Sequence, residues 1–374
     1  MYNKMKKLMA TLLATLMVAS CCGVAFASET PTPGADQTVT GDGKPEGHVE
    51  RTVTKMVLPT VTANTFKYIV DPEELIQETS AAKYGGEDAT FPAAATDTHV
   101  YFQTGDTTWA NSTKTMYAVN VGTEAVTLTV KVKAVPSTDS TKDIGLATAA
   151  DTLVTSDSTP KSLLYLGFKV GDTTKVLSAT EQTVTATVAG SANYEVSYNA
   201  TTDKYAYTEK DPAEGAAGNS WKAMAISLEG KVGDKPIADD TTSPQVSVTW
   251  GWAAAASGAT AATDMTTVIG CKTSDGTVVY LTSSEIPSID RTTVTKTNNE
   301  ITITNGELDT IKMTRTNGTV INWADGVQYN YDKTTNKVAV VQGPFTVADN
   351  ANATLTLTFT NGLSLTATLD TASA

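Results

Sequence analysis

Cysteine and histidine, the side chains that most often carry nucleophilic, redox or metal chemistry, are scarce in this chain: three cysteines and two histidines among 374 residues. Two of the cysteines, Cys21 and Cys22, fall within the first 27 residues, so the remainder holds Cys271 alone and no intrachain disulfide is expected there. A solitary thiol of this kind reads as a small buried apolar side chain. The sequence has no H-E-x-x-H, no G-x-S-x-G, no phosphate-binding glycine loop and no paired C-x-x-C. His48 sits in a polar stretch and His99 ahead of a strand, which leaves His99 as an isolated candidate base. Paired carboxylates for glycoside cleavage meet in space rather than in sequence, so a carbohydrate-active enzyme stays open as a third reading without a motif behind it.

Long apolar runs are also missing. The one apolar stretch, residues 8–18, is shorter than the roughly 20 residues a spanning helix needs. Positive charge is in deficit: 27 Lys and Arg against 40 Asp and Glu give a net charge of -13. Removing the three lysines of the N-terminal leader takes this to about -16, a surface that repels phosphate backbones, so no nucleic-acid partner is expected.

The apolar stretch belongs to a leader. Lys4, Lys6 and Lys7 precede it and small residues follow, the three parts of a secretory signal peptide. Ala25-Phe26-Ala27 fits the cleavage pattern and assigns residues 1–27 to the signal peptide, with export as the expectation. A competing reading takes Val18-Ala19-Ser20-Cys21 as a lipobox, with Cys21 lipid-modified and the protein tethered to the membrane's outer face. Residues 28–55, rich in Pro, Gly, Thr and charge, read as a flexible spacer.

Beyond the spacer the pattern is that of strands. Residues 126–134 separate into a polar and an apolar face with period two, as half-buried antiparallel strands do. Similar segments are 183–188, 194–198, 204–207, 223–228 and 246–252. One helix is expected over residues 72–83, with Asp71 as N-cap, Pro72 in the first turn and Gly85 as terminator. The Ala- and Gly-rich residues 253–262 read as a linker between a domain at 56–252 and another at 263–374. In the second, short strands follow at close spacing, and Asn305-Gly306, Asn317-Gly318 and Asn361-Gly362 supply tight turns. The expected fold is all-β, with two antiparallel β-sandwich domains, the second immunoglobulin-like and the first carrying the short helix.

Two resemblances follow from these residues. The run from "GELDTIKMTRTNGTVI" through "VQYNYDKTTNKVAVV" to "ATLTLTFTNGLSLTATL" resembles Ig-like X2-type modules of extracellular bacterial proteins. That resemblance implies an accessory role as a spacer or a wall and polysaccharide binder. The segments "MVLPTVTANTFKYIVDPEELIQETSAAKYG", "YAVNVGTEAVTLTVKVKA" and "SPQVSVTWGW" are similar to secreted proteins of Gram-positive, Clostridia-type anaerobes and, more distantly, to biofilm-fibre subunits of the TasA and camelysin kind. Neither resemblance carries a catalytic residue.

Candidate binding residues are aromatic. Trp250 and Trp252 share a strand face with Val246 and Val248, which suits core packing first and a sugar-stacking platform second. Trp109 and Trp221, with Tyr329 and Tyr331, are the other stacking candidates. Val49, Val53 and Val57 recur on one parity next to the spacer, forming a strand that either pairs within its own domain or adds to the edge of a neighbouring subunit. No cofactor is expected. Asp139, Asp143, Asp239, Asp240, Asp349 and Asn350 are loop oxygens of the type that binds calcium, but none follows a calcium-loop pattern and solvated loop acids are the simpler reading. The sequence thus points to a non-catalytic structural or adhesive protein of the cell surface or extracellular matrix, with polysaccharide or host-glycan binding as the alternative.

Overall fold

Thr alternating with aliphatic side chains commits this chain to strands with one face buried. The computed structural model describes residues 53–371 except 63, 95, 106 and 211–218, and for 206–209 the backbone alone. It is nearly all β, with 46 % strand and 6 % helix.

The first fifteen strands are β1 (Met56–Val57), β2 (Tyr68–Val70), β3 (Val100–Gln103), β4 (Trp109–Ala110), β5 (Met116–Asn120), β6 (Val126–Val135), β7 (Leu164–Val170), β8 (Thr173–Val176), β9 (Gln182–Val188), β10 (Tyr194–Asn199), β11 (Lys204–Glu209), β12 (Ser220–Val232), β13 (Gln245–Ala254), β14 (Thr266–Lys272) and β15 (Val278–Leu281). One sheet has the order β1-β5-β12-β14-β15, with β7 on the later half of β12 and β8 beyond it. A second sheet, β13-β6-β9, packs against it, and a third, β2-β3-β4, adds to the same core. On β6, Val126, Leu128, Val130 and Val132 have no exposed surface while Lys131 between them is exposed, as the alternation predicts. They meet Leu164, Leu166 and Phe168 of β7 in the main core, where each fully buried large aliphatic or aromatic side chain contributes roughly 1.5–3 kcal/mol. Gly230 lets β12 lie directly under β3, because a Cβ there would collide with the side chain of Val100.

The remaining strands are β16 (Ser288–Ile289), β17 (Thr293–Thr295), β18 (Glu300–Asn305), β19 (Leu308–Thr314), β20 (Val320–Trp323), β21 (Tyr329–Asp332), β22 (Lys337–Val340), β23 (Ala353–Phe359) and β24 (Ser364–Asp370). Their two sheets, β16-β18-β22-β21 and β17-β24-β23-β19-β20, enclose a separate core that includes Ile301, Ile311, Val338, Leu357 and Phe359. Asn317-Gly318 and Asn361-Gly362 close the β19–β20 and β23–β24 hairpins with the glycines at φ 84° and 83°. Asn305-Gly306 instead carries the chain from one sheet to the other, because β18 and β19 do not pair.

Two local expectations need correction. The helix is α1 (Leu75–Glu78) followed by two short 3-10 turns, not a continuous helix over 72–83. Asp71 does cap it, accepting from Leu75 N and Ile76 N at 2.9 Å each, but Glu74 at φ 59° delays the start and left-handed Ser80 and Ala81 end it. Of residues 253–262, the first two belong to β13 and the rest lie in the connection to β14, and β14 and β15 join the first sheet. The chain therefore passes to the C-terminal pair of sheets after Leu281, around residues 282–287.

Candidate functional site: a latched strand, an open edge and a groove

The segment from Val53 to Val57 lies along β5 as the edge of the first sheet. Met56 and Val57 pair with Asn120 and Val119, Val121 N donates to Lys55 O at 3.1 Å, and Thr123 N donates to Val53 O at 2.8 Å. Val53 N in turn donates to Thr123 Oγ1 at 3.0 Å. Gly122 permits this approach, since a Cβ on it would strike the Val53 carbonyl and lie 2.9 Å from Lys55 N. The turn that receives the strand is built by buried Asn120. Its Nδ2 donates to Glu124 O and Val188 O at 2.8 and 2.9 Å, and its Oδ1 accepts from Gly122 N at 2.9 Å. Val57 packs against the cluster of Val119, Val121, Trp221, Ala223 and Val268, and Val49, like Cys21 and His48, lies outside the described residues. The structure thus shows this segment paired within its own chain.

The structure scatters the tryptophans. Trp221 is 1 % exposed and packs with Val119, Val121 and Val268, so it offers no face to a ligand. Trp109 is stacked on Phe91, with ring centroids 5.7 Å apart and planes 5° apart, inside a cluster with Tyr84 and Tyr101. Trp250 leans into the main core towards Phe168, 6.3 Å away. Trp252, on the same strand, is 39 % exposed. Of the tyrosines, Tyr329 is buried and Tyr331 OH donates to Asn336 Oδ1 at 2.7 Å. Sequence reasoning missed the exposed pair Tyr198 and Tyr205, which face each other across the β10–β11 hairpin at 5.5 Å. Their alternation with polar residues was the available signal.

A groove of about 680 Å³ runs between the outer face of the first sheet and the turns of the C-terminal sheets. Leu58, Tyr117 and Tyr280 line it together with Lys114, Glu307 and Asn361. Glu285, also in its wall, is held by Tyr117 OH at 2.9 Å and by Thr282 N and Oγ1 at 2.8 Å each. Burial, with the neighbouring Glu285 carboxylate, pushes the Tyr117 phenol well above its ordinary range. Cys271 is buried with Ile286 and Leu363 where the C-terminal sheets meet β14, and burial raises its thiol.

His99, at φ 55°, has Nε2 3.6 Å from Glu74 Oε1 and Nδ1 3.9 Å from Asp97 Oδ2. Asp97, whose side chain has no exposed surface, accepts from Gln77 Nε2 at 2.6 Å, Tyr101 OH at 2.7 Å, His99 N at 2.8 Å and Asn111 Nδ2 at 3.0 Å. This knot ties α1 to β3. The loop acids are engaged separately: Asp139 accepts from Thr141, Asp143 from Ser137 and Thr242, Asp240 pairs with Lys142, and Asp349 with Arg315. Asn350 accepts from Arg315 Nε at 2.9 Å. Among the described residues no group of three or more His, Cys, Asp or Glu gathers as a metal site, and no helix is long and apolar enough to cross a membrane. Comparison of the chain with family models, with characterised proteins and with solved structures gives no match.

Proposed function

We propose that this chain is an exported, non-catalytic structural or adhesive protein of the cell surface or extracellular matrix that works by association of copies. The observation behind this reading is the latched N-terminal strand. Val53, Lys55 and Met56 are held through main-chain bonds at a sheet edge, so an identical strand from another copy finds the same partners there. Strand exchange of this kind links subunits in a row when it is heterologous. The expected result is ordered oligomers or fibres of residues 28–374 by light scattering and negative-stain electron microscopy over a concentration series, with growth beyond a pair of copies lost when residues 28–55 are deleted. A chain that stays monomeric throughout would refute the association.

Polysaccharide or host-glycan binding is the second reading, and the groove with Tyr117 and Tyr280 favours it. Aromatic faces beside carboxylate and amide groups suit the apolar faces and hydroxyl edges of sugar rings.

A further inference from the structure

β13 is a ten-residue edge strand with one side unused. β6 pairs with it along its whole length, and among the described residues no other main-chain hydrogen bond reaches residues 245–254. Edge strands are ordinarily blunted by charge, proline, bulges or brevity. The sequence QVSVTWGWAA has no charged residue and no proline, and its register with β6 runs without a shift. Several other edges are protected. Ala262 N caps Thr187 O on β9 at 2.9 Å, β15, β20 and β21 are four residues long, and β10 and β11 carry Glu195 and Lys204.

Half of the β13 edge is walled. Residues 243–248 face a cavity of about 760 Å³ whose far side is Val61, Thr62 and Phe66 to Tyr68. Past Val248 the wall ends, since the cavity lining stops at that residue; on the faces of the strand a Cβ on Gly251 would meet nothing within 4 Å, and Trp252 is 39 % exposed.

We infer that residues 248–254 pair antiparallel with the same residues of a second copy about a two-fold axis through Gly251, joining two three-stranded sheets into one. This deepens the association reading by naming a surface for it. Opposed residues of an antiparallel pair share a face, and an axis perpendicular to the sheet keeps both cores on one side. The axis must therefore pass through a residue, and centring it on Gly251 uses only the open half. Trp250 then lies opposite the partner's Trp252 and Val248 opposite the partner's Ala254, which continues the apolar face and covers the exposed indole. With no charge on the strand, the pairing carries no like-charge repulsion of its own.

The axis makes Gly251 its own partner, which gives the test. Sedimentation of residues 28–374 is expected to show association of copies, with the dimer as its smallest unit. Gly251→Lys alone and Gly251→Glu alone each set like charges face to face and weaken association about fivefold. Mixing the two variants restores it, with circular dichroism confirming that both fold. Assembly of the unsubstituted chain that is indifferent to both variants would overturn the β13 inference while leaving the association reading standing. A monomer at every concentration would overturn both.

Discussion

Thr123 holds both main-chain polar groups of Val53, its N–H donating to the Val53 carbonyl at 2.8 Å and its hydroxyl accepting the Val53 N–H at 3.0 Å. Thr123→Val keeps the shape and the main-chain bond but removes the acceptor. The expected cost is about 1 kcal/mol in urea denaturation, with faster amide exchange confined to residues 53–57. Gly122→Ala acts more strongly, because the new Cβ occupies the space of the Val53 carbonyl and the strand must leave β5. Unchanged exchange at residues 53–57 in both variants would mean that other contacts hold the latch.

How far the sequence reached depends on how many faces of a strand are buried. β6 was legible because Val126 to Val132 alternate with solvent-facing Thr and Lys. β7, read as Leu-Tyr-Leu-Gly-Phe-Lys-Val, was not, because six of its seven residues are buried and the period disappears. The same holds for β14, where Gly270 and Cys271 are adjacent and both buried, so the boundary of the first group of sheets was placed too early. The helix failed for another reason. Asp71 and Pro72 are sound start signals, but nothing in the composition announces that Glu74, Ser80 and Ala81 take left-handed conformations. Parity placed Trp250 and Trp252 on one face, yet only the neighbouring sheet decides that one indole is covered and the other is not.

Acid should act through Asp143. Burial alone pushes its carboxyl up, but bonds from Ser137 N at 2.8 Å and Thr242 Oγ1 at 2.7 Å outweigh that and hold it below the ordinary aspartate range. A value lowered in the fold gives stability that is present above the unfolded value of about 3.9 and is lost as pH falls through the folded one. The loop at Ser137 is therefore expected to detach from Thr242 only below about pH 4, seen as faster exchange around residues 137–143. Asp143→Asn should show that mobility already at neutral pH. Loop exchange that rises at a higher pH, or that is the same in both proteins, would rule out this tether.

Alkali acts on a different set of groups. Tyr68, Tyr101, Tyr117 and Tyr165 are all raised first by burial, with Asp143, Asp97, Glu285 and Glu229 respectively adding unfavourable charge. Tyr165 is pushed up to about 12. Each of the four also donates its hydroxyl: Tyr68 to Pro244 O at 2.6 Å, Tyr101 to Asp97, Tyr117 to Glu285, and Tyr165 to Glu229 at 3.2 Å. A value raised in the fold means stability that is complete below the unfolded phenol value of about 10 and is lost as pH rises towards the folded one. The fold resists ionisation at these positions while the unfolded chain welcomes it, so unfolding and phenolate formation become one event above about pH 10. Absorbance of the phenolate and far-ultraviolet circular dichroism should therefore change together for this fraction of the tyrosines. Replacing Tyr165 by Phe removes one linked proton and should make the alkaline limb less steep. If all the tyrosines ionise while the dichroism still reports intact strands, the buried hydroxyls are not coupled to the fold in this way.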